Sequence, residues 1–252
     1  MNSRSSLYIA TLVVFAVSLS FLPASAAGKL EDMAAHALNC GVSSESVEQI
    51  RGLSSAGASE DAAVAVLSPL LNACVDQLPV SPLEIRLSEG VTKRVPLPAI
   101  SVALEKQLAS FRLAREILLT TTGSLNESAL EVVGNGVGKG VVRSDFEAFA
   151  TEFGKQPVEV FLTGLTMVSL QGQIDYDYAL TQRILEKGIQ AETLSPDWQY
   201  FVRVVLAARK HGIEDRIIAD AAVDVLDKGE PVSSVLPELG FTDRDLAGGI
   251  SK

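Results

Sequence analysis

Apolar side chains recur every three or four positions along most of this chain, with polar residues filling the intervals. From Pro98 to about Thr121, Ile100, Leu104, Leu108, Phe111, Ala114 and Leu118 form one stripe, and Glu105, Lys106, Arg112 and Arg115 lie off it. That spacing predicts a long amphipathic helix. Segments of the same period predict further helices near residues 29–40, 45–56, 60–77, 82–93, 125–134, 145–153, 157–171, 174–187, 196–210, 213–228 and 231–239. The punctuation supports these spans. Ser81-Pro82-Leu83-Glu84, Ser124-Leu125-Asn126-Glu127 and Ser144-Asp145-Phe146-Glu147 each fit the S-x-x-E capping box. Ser195-Pro196-Asp197 opens a helix that closes on Arg209-Lys210-His211-Gly212, with cations at the negative end of the dipole. Val91 to Val95 and Gly136 to Val142 are weak strand signals, too short to build a sheet. The expected class is all-α: short antiparallel helical hairpins stacked as an irregular bundle or a short solenoid.

Two corners match in sequence. Gly90-Val91-Thr92-Lys93-Arg94-Val95 and Gly136-Val137-Gly138-Lys139-Gly140-Val141 agree at four of six positions, and Ile100 and Phe146 follow at equal distances. Leu185-Glu186-Lys187-Gly188-Ile189 and Leu226-Asp227-Lys228-Gly229 are weaker echoes. Physically, each reads as a helix ending on a glycine, after which an apolar residue folds back. Either the hairpins repeat, or one helix-end grammar recurs without duplication. The irregular spacing excludes a regular tetratricopeptide or ankyrin array. A division is expected around Thr120 to Gly140, where Thr120-Thr121-Thr122-Gly123 breaks the long helix. That gives helical halves over 27–122 and 123–252, in close contact or forming one continuous domain.

Residues 1–26 read as a cleaved signal peptide. Arg4 precedes an apolar run from Leu7 to Leu22, and Pro23-Ala24-Ser25-Ala26 supplies small residues for cleavage after Ala26. The run is about 16 residues, short of the ~20 that cross a bilayer, and no later segment approaches that length. The expected location is periplasmic or secreted, with no membrane span after cleavage. In that oxidising setting Cys40 and Cys74, the only cysteines, are a candidate disulfide. The bridge would stabilise by about 3–4 kcal/mol; two buried free thiols are the alternative.

Composition then narrows the function. With 47% hydrophobic residues the chain can bury a substantial core. Its 31 acidic against 21 basic residues, a net charge of −10, argue against sequence-independent binding to nucleic acid or an anionic membrane. Gly134-Asn135-Gly136-Val137-Gly138-Lys139-Gly140 suggests a phosphate loop, but Val133 and Gly140 stand where a glycine and a Ser or Thr are needed, so it reads as a flexible corner. Asp175-Tyr176-Asp177 with Glu186 copies the ends of an EF-hand loop, yet Ala179 and Leu180 replace a ligand and the turn glycine. Those aspartates read as first-turn helix charges. His36 and His211 have no nucleophile motif, and the His and Cys residues lack metal-ligand spacing. No catalytic residue, cofactor or metal is called for.

Aromatic residues concentrate between positions 176 and 201. Trp198, Phe201 and Val205 share a helix face, Tyr200 lies on another flank, and Tyr176 and Tyr178 precede them. They are either core or a patch lining a groove between hairpins, which makes Tyr176, Tyr178, Trp198 and Phe201 the candidate interface. The sequence therefore points to an exported, acidic, non-catalytic binding or scaffold module whose partner is a protein or peptide of the cell envelope. The alternatives are a carboxylate-dependent envelope hydrolase or lyase and a self-associating structural envelope protein. Oligomeric state is left open.

Overall fold

The computed structural model describes residues 28–241. The signal peptide expected at 1–26 lies outside the described residues. Within them every regular element is helical: α1 (Lys29–Cys40), α2 (Ser44–Ser55), α3 (Glu60–Val75), α4 (Ser81–Thr92), α5 (Leu97–Thr122), α6 (Glu127–Gly138), α7 (Arg143–Phe153), α8 (Val158–Gly172), α9 (Tyr178–Gln190), α10 (Phe201–Lys210), α11 (Asp215–Asp227) and α12 (Val235–Glu238). One-turn 3₁₀ segments, Pro196–Tyr200 and Val232–Ser234, lead into α10 and α12. Both weak strand signals fall in helix ends and corners. The predicted α5 stripe is the buried face of that helix, with Leu104, Leu108, Phe111 and Ala114 fully enclosed.

Helix starts are set differently from the sequence motifs. Ser43, Ser59, Asn126 and Asp177 accept the capping bonds, from the amides of Ser46, Ala62, Ala129 and Ala179. The three S-x-x-E boxes are not used. α4 already includes Ser81, α7 starts one residue before Ser144, and Asn126 displaces Ser124 at α6. Two glutamates instead cap the helices beside them: Glu60 accepts from the Leu30 amide at 2.9 Å, and Glu84 from the Ser43 amide at 2.7 Å. Tertiary packing thus satisfies amides that local motifs leave open.

Among the described residues, every extensive interhelix contact joins helices one or two apart in chain order, counting each 3₁₀ turn with the helix it precedes. That is the topology of a helical solenoid, in which each hairpin rests on the next. Alternate helices run in the same direction. In α1 and α3, Glu60 meets the amide of Leu30 at one end and the Cys40–Cys74 disulfide joins the other, with Cα atoms 5.9 Å apart. Buried side chains form a continuous cluster from Leu30 to Val235.

Most corners, though not those at Gly123 and Gly154, share one construction. A residue near the end of a helix accepts, through its carbonyl, the amide five positions on, and the residue between them at +4 is left-handed. The pattern holds for Gly90, Arg94 and Val95, and for Gly136, Gly140 and Val141, the two corners matched in sequence. Their equal spacing to Ile100 and Phe146 also has a cause: a Cβ on Gly90 would lie 2.9 Å from Ile100, and one on Gly136 2.6 Å from Phe146. Four of the left-handed residues, Gln77, Arg94, Asp175 and Glu192, are not glycine, so the sequence does not advertise their corners. Asp175 is accordingly a corner residue and not the first-turn charge expected.

The corners also reveal a longer repeat. Left-handed residues at 41, 57, 77 and 94 recur at 175, 192, 212 and 229, each about 135 positions on. The same shift carries α2, α3 and α4 onto α9, α10 with its 3₁₀ turn, and α11. Ala63, Val66 and Leu70 correspond to Trp198, Phe201 and Val205, all buried. Cys40 and Cys74 correspond to Ile174 and Arg209. Where one half has the disulfide, the other has the Arg209 guanidinium donating to the Ile174 carbonyl at 2.6 Å and pairing with Asp215 at 2.6 Å.

Most of the glycine cluster lies inside α6 and not in the flexible corner expected; only Gly140 is the left-handed corner residue. α6 continues through Gly138, and Gly134 and Gly136 are buried within it. A Cβ on Gly134 would collide with the fully buried Phe111 ring of α5. These glycines let α6 lie close against its neighbours. Gly134→Ala should therefore destabilise by about 1–3 kcal/mol through overpacking, offset only in part by about 1 kcal/mol of helix preference. Urea unfolding followed by circular dichroism measures the difference; a stabilised variant would contradict the close-packing role.

Candidate functional site

The aromatic residues singled out in the sequence are placed mainly in the core. Trp198 and Phe201 are fully buried with ring centroids 6.0 Å apart, and Tyr176 packs edge-on to Phe201 at 6.1 Å. The Tyr176 hydroxyl donates to the Asp215 carbonyl at 3.1 Å. These three cannot anchor a partner at the surface, because they face α8 and α11 within the solenoid. This corrects the interface expectation. Tyr178 is half-buried; burial first, and then Glu152, Asp145 and Glu186, raise its hydroxyl above the ordinary phenol range. Tyr200 stays exposed, with the Arg203 guanidinium 4.8 Å above its ring. Cys40 and Cys74 form the disulfide.

The solenoid topology shows where a site can form. Alternate helices pack on each other throughout, except that α4 does not pack extensively on α6, nor α7 on α9. At the second gap Gln182 bridges from α9, donating to Glu152 of α7 at 2.8 Å and to Glu186 at 3.0 Å. Burial first, and then Glu186, raise the Glu152 pKa. No cluster of three metal-ligating side chains occurs among the described residues.

The first gap is an open groove. α4 and α6 both lie on α5 and face each other across it. Its middle is a cavity of about 320 Å³ walled by Ile85, Arg86 and Glu89 on one side and Glu131 and Asn135 on the other. Gln107 of α5 forms the floor, and its side-chain carbonyl oxygen is buried with no hydrogen-bond partner. The same three residues, Arg86, Gln107 and Asn135, carry the groove into a hollow of about 130 Å³ beside Lys106 and Lys139. Beside its other end, where Val80 adjoins Ser81 and Leu130 adjoins Glu131, lies a cavity of about 500 Å³ lined by the disulfide, Leu78, Val80, Leu125 and Glu127. Ile85 is 60% exposed on the wall, an apolar side chain with no partner across the gap.

Chemically, this groove suits recognition. The Gln107 and Asn135 carboxamides each offer one donor group and one acceptor, as a peptide bond does. From Glu127 to Lys139 the α6 wall rises about 18 Å, enough for about five or six residues of extended chain. In the sequence Asn135 and Lys139 stand out only within the rejected phosphate loop, and Ile85, Arg86, Gln107 and Glu131 not at all. The available signal was the four-residue spacing of Gly134 and Gly138, which presses α6 onto α5 and turns Asn135 towards Gln107. No family model matches this chain, and no curated protein or solved structure is significantly similar to it.

Proposed function

We propose that the protein is a non-catalytic binding module that takes an extended segment of a protein partner into the groove between α4 and α6. The observation that carries this reading is the interrupted stacking of α4 and α6, which leaves an open channel walled by both helices with the Gln107 side chain at its floor. A closed helical stack would bury that face. The signal-like segment at 1–26 and the Cys40–Cys74 bridge support a role in an oxidising compartment, periplasmic or extracellular.

Filling the groove tests the proposal. Asn135 is exposed, so Asn135→Trp should leave the helical signal and melting temperature unchanged while its indole occupies the channel. Linear random peptides selected on the wild-type chain should bind the variant at least ten-fold more weakly. Peptides that bind both proteins equally, or a selection that returns no binders, would overturn the proposal.

A further inference from the structure

The groove changes character along its length. Near its Lys139 end, Arg86, Lys106 and Lys139 converge on the smallest hollow, whose remaining lining is uncharged. No carboxylate contributes to that lining, in a chain with 31 acidic residues against 21 basic ones. Among the described residues none of the three cations is ion-paired. The far end is richer in aliphatic side chains, with Leu78, Pro79, Val80, Leu125 and Leu130 around the disulfide and Glu127 as its one charged residue. Like charges gathered on one hollow repel one another, and a bound anion relieves that repulsion. Apolar walls at the other end favour aliphatic side chains.

We infer that the groove recognises an acidic-apolar peptide: an extended segment with a carboxylate seated against Arg86, Lys106 and Lys139 and aliphatic side chains beside the disulfide. This inference rests on the peptide-groove reading and adds the chemistry of the partner. The carboxylate belongs to Asp or Glu side chains or to a chain terminus, and the chemistry at the cations is the same for both. Glu89 and Glu131 on the central walls exclude a uniformly acidic segment, because they would repel charge placed between the two ends.

The test measures fluorescence anisotropy of the full chain with labelled hexapeptides. The probes are Leu-Leu-Ala-Ala-Glu-Glu amide, the reversed Glu-Glu-Ala-Ala-Leu-Leu amide, the neutral Leu-Leu-Ala-Ala-Gln-Gln amide, and that neutral peptide with a free terminal carboxylate. At least one glutamate peptide should bind about ten-fold tighter than the neutral amide, and the advantage should shrink as salt rises from about 0.05 to about 0.5 M. The double substitution Lys106→Gln and Lys139→Gln should remove the advantage without moving the melting temperature. Gain by the free acid over its own amide assigns the carboxylate to a terminus; equality assigns it to side chains. A neutral amide that binds as tightly as the glutamate peptides overturns the acidic-apolar inference while the Asn135→Trp result still decides the groove. Failure of all four probes to bind also overturns it.

Discussion

Trp198→Ala is expected to lower the free energy of unfolding by about 3–5 kcal/mol, the largest effect of any single substitution considered for this chain. The indole is fully buried, packs on Phe201, and sits where the 3₁₀ turn before α10 meets α8. The equivalent position in the other half holds Ala63, so the two halves fill this layer with very different volumes. The indole N–H is enclosed with no partner, which trims the loss slightly when the ring is removed. Because each helix rests only on near neighbours, the damage should concentrate in α8 to α11 and spare α1 to α5. Urea titration by circular dichroism should show a lower midpoint, and amide hydrogen exchange should place the early opening in the C-terminal half. A variant within about 1 kcal/mol of the wild type would show that the indole is not a core element.

Removing the disulfide is the second large effect. The double substitution Cys40→Ser and Cys74→Ser should cost about 3–4 kcal/mol, the value for releasing a loop of this length in the unfolded chain. The bridge ties the parallel helices α1 and α3 where their last turns meet, at the end of a solenoid that has no further repeat to cover it among the described residues. In the other half Arg209 makes the corresponding tie through hydrogen bonds to a carbonyl and a carboxylate, which reductant does not touch. Reductant should therefore lower the melting temperature of the wild type towards that of the double variant, and should leave the variant unchanged. Equal melting of oxidised and reduced wild type would contradict this account of the bridge.

How much of this was legible in the sequence depends on the scale of the feature. Helix existence was plain, because an apolar period of 3.6 over ten or more residues has few other physical readings; α5 is the clearest case. Helix starts were not, since S-x-x-E boxes at Ser81, Ser124 and Ser144 compete with packing that moves the first turn by one or two residues. Glycines misled in a specific way. At 134 and 136 they serve close approach to Phe111 and Phe146, and a single sequence cannot separate that role from chain flexibility. The repeat of about 135 positions was hidden because left-handed corners are held by Gln77, Arg94, Asp175 and Glu192, and because a disulfide in one half answers to an arginine in the other. Aromatic residues around Trp198 fitted a core pattern and could also form a surface patch, and the placement of α8 decides between them. The groove itself arises from extensive packing that α4 and α6 do not make, and missing packing leaves no motif.

Chemical-shift mapping of the full chain with the tightest-binding selected peptide tests the central claim most directly. Binding in the groove predicts shifts confined to residues 78–89, 103–107 and 125–139, with the Gln107 side-chain amide among the largest. Shifts centred on the α7 and α9 gap, or spread over the outer surfaces of α2 and α11, would contradict it.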